Sequence, residues 1–345
     1  MAANVRLGII GAGGFTRRRL LPNFLAADGI EVVAVANRTL ASAERVASEF
    51  SIPHPMGDWR ALLARDDVDA VLVGTEPYFH HEAVIGALEA GKHVLCQTRM
   101  AASLAEARAM HAKAEATGLK AMLVPSASFL GVRRYVKHLL DTDYVGAVRQ
   151  AFGYYFVSNY IEAGAPLHRR QDHRTFGVIN PLHTGIYWDV LRPWFGDPRR
   201  VLAWGGTFTP RRAESPGGPQ IAVEMPDAVT VVAEMAGGPV VTCVQSGAAL
   251  FGEDRIEIFG EEGTLVVPLH GGLMGARKGD EALAALEVPP EYDDSWAVEE
   301  EFVRLVRGEI DRPELSFADG VKNIEVLEAT HRSMTEECWV DLPLP

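Results

Sequence analysis

The segment Leu7-Gly8-Ile9-Ile10-Gly11-Ala12-Gly13-Gly14-Phe15-Thr16 constrains this chain more than any other. An apolar run leads into a glycine cluster, and a helical pattern follows. A second apolar run, Glu31-Val32-Val33-Ala34-Val35-Ala36, ends at Asn37-Arg38-Thr39. Strand, glycine turn, helix and strand in that order make the first βαβ unit of a dinucleotide-binding domain. Gly11 permits the tight turn, and Gly13 lets the backbone approach a pyrophosphate. The N–H groups that open the helix, around Gly14 and Phe15, then hold that pyrophosphate. Thr16 stands where the fingerprint has its third glycine.

At 345 residues the chain is long enough for two domains. Hydrophobic residues make up 48% and charged residues 23%, the balance of a globular protein with a sizeable core. A formal net charge of −13 argues against nucleic acid or an anionic membrane as partner. No apolar run reaches the roughly 18 residues of a membrane span. The N-terminus enters a strand almost at once, so no signal peptide is expected. Cys96, Cys243 and Cys338 lie far apart without metal-ligand spacing. Each reads as a small buried thiol, no metal is expected, and a cytoplasmic location fits.

Strand and helix patterns alternate through the first third. Helices are expected over 41–50, 58–64, 80–90 and 103–117, the last with Ser103 and Glu106 as a capping box. Strands are expected at 68–73, 93–96 and 120–124. Short loops between them imply a parallel sheet covered on both faces. The pattern then changes to strands at 147–158, 201–208, 228–235, 240–246, 255–259 and 264–267. The hairpin signal Gly237-Gly238 implies antiparallel pairing. One helix is expected from Pro181 to Phe195, with Asn180 as its cap, and others over 295–306 and 317–337. Arg211 to Gln220 reads as a mobile loop. The expected division is a dinucleotide-binding domain over 1–125 and a substrate-binding and oligomerisation domain over 126–345.

Several segments resemble the family of glucose–fructose oxidoreductase, inositol 2-dehydrogenase and MocA. They are Asp67-Val68-Asp69-Ala70-Val71, then Thr75 and His80, and Ala87 through Cys96. Glu257 through Thr264 and Asp319-Gly320-Val321-Lys322-Asn323 follow in family order. The resemblance implies an α/β protein: a Rossmann parallel sheet, then a C-terminal α/β domain with a large, open, mostly antiparallel sheet. That sheet is often used to form oligomers, so a homodimer or homotetramer is expected. Where the family carries its catalytic Glu-Lys-Pro, this chain has Gln97-Thr98-Arg99. In the family the lysine holds or moves the hydroxyl proton beside the nicotinamide. Thr98 cannot titrate near neutral pH, although it can donate a hydrogen bond. Arg99 is permanently charged and is no proton shuttle. Asp189 matches the last aspartate of Asp-x-Gly-x-His-x-x-Asp, but Ile186 occupies the histidine position. Both halves of the usual proton-transfer pair are therefore absent.

A substitute is sought on the same helix. His183 lies three residues before Ile186, and Tyr187 four residues after His183, so helical spacing puts them on one face. His183 titrates near neutral pH; the bland alternative is a core histidine bonded to a backbone carbonyl. The polar run from His168 to Arg174 reads as a solvated loop, or as one whose His168 or Arg170 reaches a carboxylate, phosphate or sugar hydroxyl. Cofactor choice is read at the end of the second strand, where NAD-binding proteins usually carry a carboxylate. Neutral Asn37 followed by Arg38 and Thr39 suits a 2′-phosphate, so NADP is favoured and NAD tolerated. Arg17-Arg18-Arg19 reads mainly as solvated helix arginines, with one of them helping to neutralise a phosphate as the alternative. By the resemblance, Thr75 and Glu76 lie against the nicotinamide ribose, and His80 packs at the helix that follows. Gln97 completes the cofactor set, and Arg99, His168, Arg170 and Asp189 are the candidate substrate ligands.

The expected activity is an NAD(P)-dependent oxidoreductase acting on a small hydroxylated or carbonyl substrate. Thr98 would orient the oxygen, and His183 or Tyr187 would handle the proton. Two rivals follow from the resemblance. One is a redox-assisted lyase or glycosidase with transient oxidation; the other is a non-catalytic dinucleotide-binding regulator.

Overall fold

The computed structural model describes residues 4–126, 131–177, 179–292 and 296–345, with only the backbone at Phe176 and His183. Strands and helices alternate first: β1 (Val5–Ile10), a π-helical turn (Thr16–Leu20) running into α1 (Leu21–Ala26), β2 (Ile30–Ala36), α2 (Leu40–Phe50), β3 (His54–Met56), α3 (Trp59–Leu63), β4 (Ala70–Val73), α4 (Pro77–Glu89), β5 (His93–Gln97), α5 (Leu104–Thr117) and β6 (Ala121–Val124). Then come α6 (Arg133–Asp141), β7 (Val148–Phe156), α7 (His173–Phe176), α8 (Gly185–Phe195), β8 (Pro198–Gly206), β9 (Arg211–Ala213) and β10 (Gln220–Ala222). The rest is β11 (Ala228–Met235), β12 (Val240–Ser246), β13 (Arg255–Gly260), β14 (Gly263–Pro268), β15 (Met274–Arg277), β16 (Ala284–Ala285), α9 (Val298–Val306), α10 (Phe317–Glu336) and β17 (Val340–Asp341).

Local chemistry sets the helix starts. Thr39, Asp58 and Ser103 each accept an N–H from the first turn of α2, α3 and α5. The Glu106 carboxylate returns to the Ala102 N–H at 3.1 Å, one residue before the Ser103 cap.

The chain forms two compact units: Met1–Pro125 with Ala297–Ile324, and Ser126–Trp296 with Glu325–Pro345. A single cut at 125 misses the return of residues 297–324 to the first unit. Hydrogen bonds draw them there. The Leu123 N–H donates to the Leu315 carbonyl at 3.0 Å, and Arg307 donates to the Gly29 carbonyl at 3.3 Å. Such long-range pairing leaves no periodic signal.

The first unit holds a six-stranded parallel sheet in the order β3-β2-β1-β4-β5-β6. Its central strands are buried on both faces, and every residue of β4 is fully enclosed. The order reverses between β1 and β4, the crevice where open α/β sheets bind ligands.

The second unit holds a nine-stranded sheet in the order β16-β15-β14-β13-β7-β12-β11-β8-β17. All its pairs are antiparallel except β12 with β7. Along β11 and β12 buried and half-buried residues alternate, so one face is covered and the other is not.

Three sequence expectations change here. The helix expected from Pro181 begins at Gly185. Pro181–His183 is a 3₁₀ turn with Leu182 at φ 50°, left-handed backbone that an α-helix cannot contain. The N-cap of α8 is Thr184 rather than Asn180, although the Asn180 side-chain oxygen still accepts the Gly185 N–H at 3.1 Å. The segment from Arg211 to Gln220 is anchored at its ends by the β9–β10 ladder. Arg212 is only 1% exposed and donates to the carbonyls of Tyr160, Glu162 and Ala165. Finally, Cys338 is exposed, whereas Cys96 and Cys243 are buried. Ser295, where a helix start was expected, lies outside the described residues.

Candidate functional site

The glycine turn after β1 is shaped by Gly11, whose φ of +87° favours glycine. Its N–H donates to the Ala36 carbonyl at 2.9 Å, joining the ends of β1 and β2. The next N–H, of Ala12, donates to Asn37 Oδ1 at 2.8 Å, while Asn37 Nδ2 donates to Ser42 Oγ at 3.2 Å. Asn37 is thus a neutral brace between the turn and α2. Arg38 beside it is exposed, and the Thr39 hydroxyl accepts the Ser42 N–H.

Thr16 fills the third-glycine position and is buried; its hydroxyl donates to the Gly11 carbonyl at 3.4 Å. Gly74, at the end of β4, must therefore be glycine. A Cβ there would stand 2.5 Å from Thr16 Oγ1 and 2.6 Å from the Gly11 oxygen.

Gly13, Gly14 and Phe15 are exposed, and a Cβ on Gly13 would meet nothing closer than 3.9 Å. That leaves an open cradle at the start of a helix, where N–H groups lack intrahelical acceptors. Thr75 Oγ1 is buried with no hydrogen-bond partner among the described residues. An anionic dinucleotide fits this donor set. The three arginines that follow differ. Arg17 pairs with Glu49, whereas Arg18 folds back so that its Nη1 lies 3.0 Å from where a Gly14 Cβ would be. The sequence offered the triplet without singling out Arg18, since an arginine triplet carries no sign of which member turns inward.

His80, fully buried on α4, ties two loops together. Its Nδ1 lies 3.0 Å from the Arg99 oxygen and 3.2 Å from that of Met100, and its Nε2 lies 3.0 Å from the Thr75 oxygen. Burial pushes His80 below its ordinary range, and the carbonyls act the other way. It positions the loops after β4 and β5. Those loops carry Thr75 and Glu76, then Gln97, Thr98 and Arg99. The Thr98–Arg99 peptide is cis. Thr98 is half-buried, and Arg99 is buried.

In the second unit the helical-spacing argument for His183 falls with the helix start; its side chain lies outside the described residues. Tyr187 is enclosed on α8, packs over Gly153 and Cys243, and donates its hydroxyl to the Tyr154 carbonyl. Burial raises the phenol far above its ordinary range. Its proton is held by the fold, which removes the reason to assign it proton transfer. Asp189 is half-buried on the same helix.

His168 caps a 3₁₀ turn, its Nδ1 accepting the Arg170 N–H at 3.3 Å, so Nε2 carries the proton. Burial, then Arg170, Arg169 and Arg212, hold its pKa below the ordinary value. Sequence reading missed Tyr155, Tyr160 and Gln245 around this turn. A signal existed for Gln245, a polar residue at an inward position after Val241 and Cys243. Among the described residues no group of three His, Cys, Asp or Glu could hold a metal ion, and no helix is long and apolar enough to cross a membrane.

The doubly wound sheet and its glycine cradle define a dinucleotide-binding protein with an appended open-sheet unit. Residues 5–124 match the profile of the oxidoreductase family with an NAD-binding Rossmann fold, and 133–266 match the GFO/IDH/MocA C-terminal domain. The chain belongs to the Gfo/Idh/MocA family.

It is 36% identical to a 4-carboxy-2-hydroxymuconate-6-semialdehyde dehydrogenase of Sphingobium sp. over 38% of this chain and 42% of that enzyme. The first curated relatives are matched over less than half of their lengths. A levoglucosan dehydrogenase of Pseudarthrobacter phenanthrenivorans is 24% identical, with 99% of this chain and 98% of the enzyme covered. The structure of an oxidoreductase domain protein from Kribbella flavida superposes with a TM-score of 0.83 at 26% identity, covering 99% of this chain and 100% of that one.

Proposed function

We propose that this chain is an oxidoreductase that passes a hydride between a nicotinamide cofactor, NADP in preference to NAD, and a small hydroxylated or carbonyl compound. The observation that carries the reading is the end of β2. Asn37 is neutral and its amide is committed to Ala12 and Ser42, so no carboxylate opposes a 2′-phosphate, and Arg38 is exposed beside it.

The bound nicotinamide would supply the hydride acceptor or donor. The Gly11–Phe15 turn holds the pyrophosphate through backbone N–H groups. Arg38 pairs with the 2′-phosphate through a charge-assisted bond. Thr75 offers its buried hydroxyl to the nicotinamide ribose, beside Glu76 and Gln97. Thr98 donates the hydrogen bond that orients the reacting oxygen. Arg99 holds a substrate group. The unpaired thiols Cys96, Cys243 and Cys338 accord with a reducing compartment such as the cytoplasm. The partner expected beyond substrate is a second copy of the chain, through the open sheet.

The test is a titration of NADPH and NADH followed by nicotinamide fluorescence, then a screen of polyols and sugar acids for cofactor reduction. Tighter NADPH binding with net reduction by some member supports the reading. Equal affinities sink the cofactor preference; tight binding without net reduction across the panel sinks the hydride transfer.

A further inference from the structure

The polar turn of the second unit holds a cluster that the hydride-transfer assignment leaves unused. Tyr155 on β7 and Gln245 on β12 are register partners, so both side chains leave the same face of the sheet. Gln245 is 1% exposed. Thr184 Oγ1 lies 2.7 Å from Gln245 Oε1 and 2.6 Å from the Pro181 oxygen. That hydroxyl has one proton for two acceptors. If Gln245 receives it, Gln245 Nε2 stays without a partner among the described residues. If Pro181 receives it, the amide turns over, its nitrogen donates to Thr184, and its oxygen stays without a donor. In either orientation a buried Gln245 group awaits a hydrogen bond.

Arg170 lies beside the same strand end, close enough to Tyr155 and Tyr160 to act against the burial that raises both phenols. Among the described residues no carboxylate pairs with Arg170. Asp172 is taken by Arg174, and Asp227 by Gln171 and the N–H groups of Phe208 and Thr209. The His168 ring lies 5.5 Å from that of Tyr160, with its proton on Nε2. A half-buried guanidinium, an imidazole N–H and two phenols thus form a donor-rich patch, on which Arg169, Arg170 and Arg212 act against Asp227 and Asp254, so that one net positive charge remains.

We propose that this patch receives a carboxylate of the substrate, with Gln245 bonding a hydroxyl of the same molecule. The substrate class is then a hydroxylated carboxylic acid, such as a sugar acid. A phosphate ester carries about −1.5 to −2 charges near neutral pH, more than one net positive charge balances. A carboxylate matches the single charge and the planar fork of arginine. The inference rests on the oxidoreductase reading for its reaction, though not for its binding.

The experiment uses the full chain with NADP⁺ and three probes: glucose, glucuronate and glucose 6-phosphate. Binding is measured by calorimetry and turnover by cofactor reduction. Glucuronate should bind at least about tenfold more tightly than glucose, the scale of one charge-assisted bond. Arg170→Gln should remove that ratio while leaving NADP⁺ affinity unchanged, and Arg170→Lys should restore part of it. Gln245→Met should weaken both sugars alike, since it removes the hydroxyl contact and retains the volume.

Equal binding of glucose and glucuronate, no binding of either, or a ratio that survives in a folded Arg170→Gln protein overturns the proposal. Preference for glucose 6-phosphate overturns the carboxylate. Selective glucuronate binding without cofactor reduction supports the patch and counts against the hydride-transfer reading. Cofactor reduction by glucose and glucuronate alike does the reverse.

Discussion

Single side chains decide the cofactor chemistry. Arg38 is exposed next to a neutral Asn37, so Arg38→Ala should erase most of the NADPH preference. A charge-assisted hydrogen bond is worth about 1.5–3 kcal/mol, and calorimetric titration of both cofactors reads the change. Arg18 lies over Gly14, in the turn proposed to meet groups shared by both dinucleotides. Arg18→Ala should weaken NADPH and NADH by the same factor; a loss confined to NADPH would move Arg18 to the 2′-phosphate. Tyr187 supplies a contrast. Its hydroxyl donates to the Tyr154 carbonyl inside the fold, so Tyr187→Phe should cost about 0.5–1.5 kcal/mol of stability and leave the pH–rate profile in place. A lost limb in that profile would return Tyr187 to the chemistry.

Caps and a buried histidine hold the elements that present these side chains. Asn180 satisfies the first N–H of α8, and Asn180→Ala should lower stability by about 0.5–2 kcal/mol in urea unfolding. His80 bridges the loops after β4 and β5. Burial lowers its pKa in the folded protein, and burial does the same at His93 and His168. The unfolded chain protonates these rings at about 6.5. Below that pH it binds more protons than the folded chain, so stability rises with pH there and is lost as pH falls. The unfolding midpoint should therefore drop steadily below pH about 6.5. His80→Gln should be less stable at neutral pH and show a shallower acid slope. An unchanged slope would mean that His80 titrates alike in both states.

At the scale of the molecule, the nine-stranded sheet has an uncovered aromatic face. Phe152, Tyr154 and Phe156 alternate along β7 with the inward Ala151, Gly153 and Tyr155. The outer rings stack at 6.4 and 6.1 Å, and Phe259 meets Phe152 at 5.9 Å. Trp204, on β8, is 56% exposed. Contiguous apolar surface of this kind marks an interaction site, and the partner proposed above is a second copy of the chain. Light scattering should give a mass above the monomer, and Phe259→Glu should shift it downward while the melting curve stays cooperative. A monomer at all concentrations would remove the oligomer.

The sequence by itself determined what is local. The turn Gly11-Ala12-Gly13, the alternation through β6 and the cap at Ser103 were legible because each rests on residues within a few positions of one another. The fold follows from such periodicities, and so does the cofactor turn. The tertiary structure decided whatever depends on partners distant in the chain. It brought residues 297–324 to the first unit through Leu315 and Arg307. It buried Arg212 beneath three carbonyls from another loop. It turned Leu182 left-handed, so that spacing on an ideal helix no longer places His183 beside Tyr187. Gln245 shows the division best. Strand alternation turned it inward, but only the Thr184 hydroxyl, with one proton between two acceptors, left part of its amide unpartnered among the described residues.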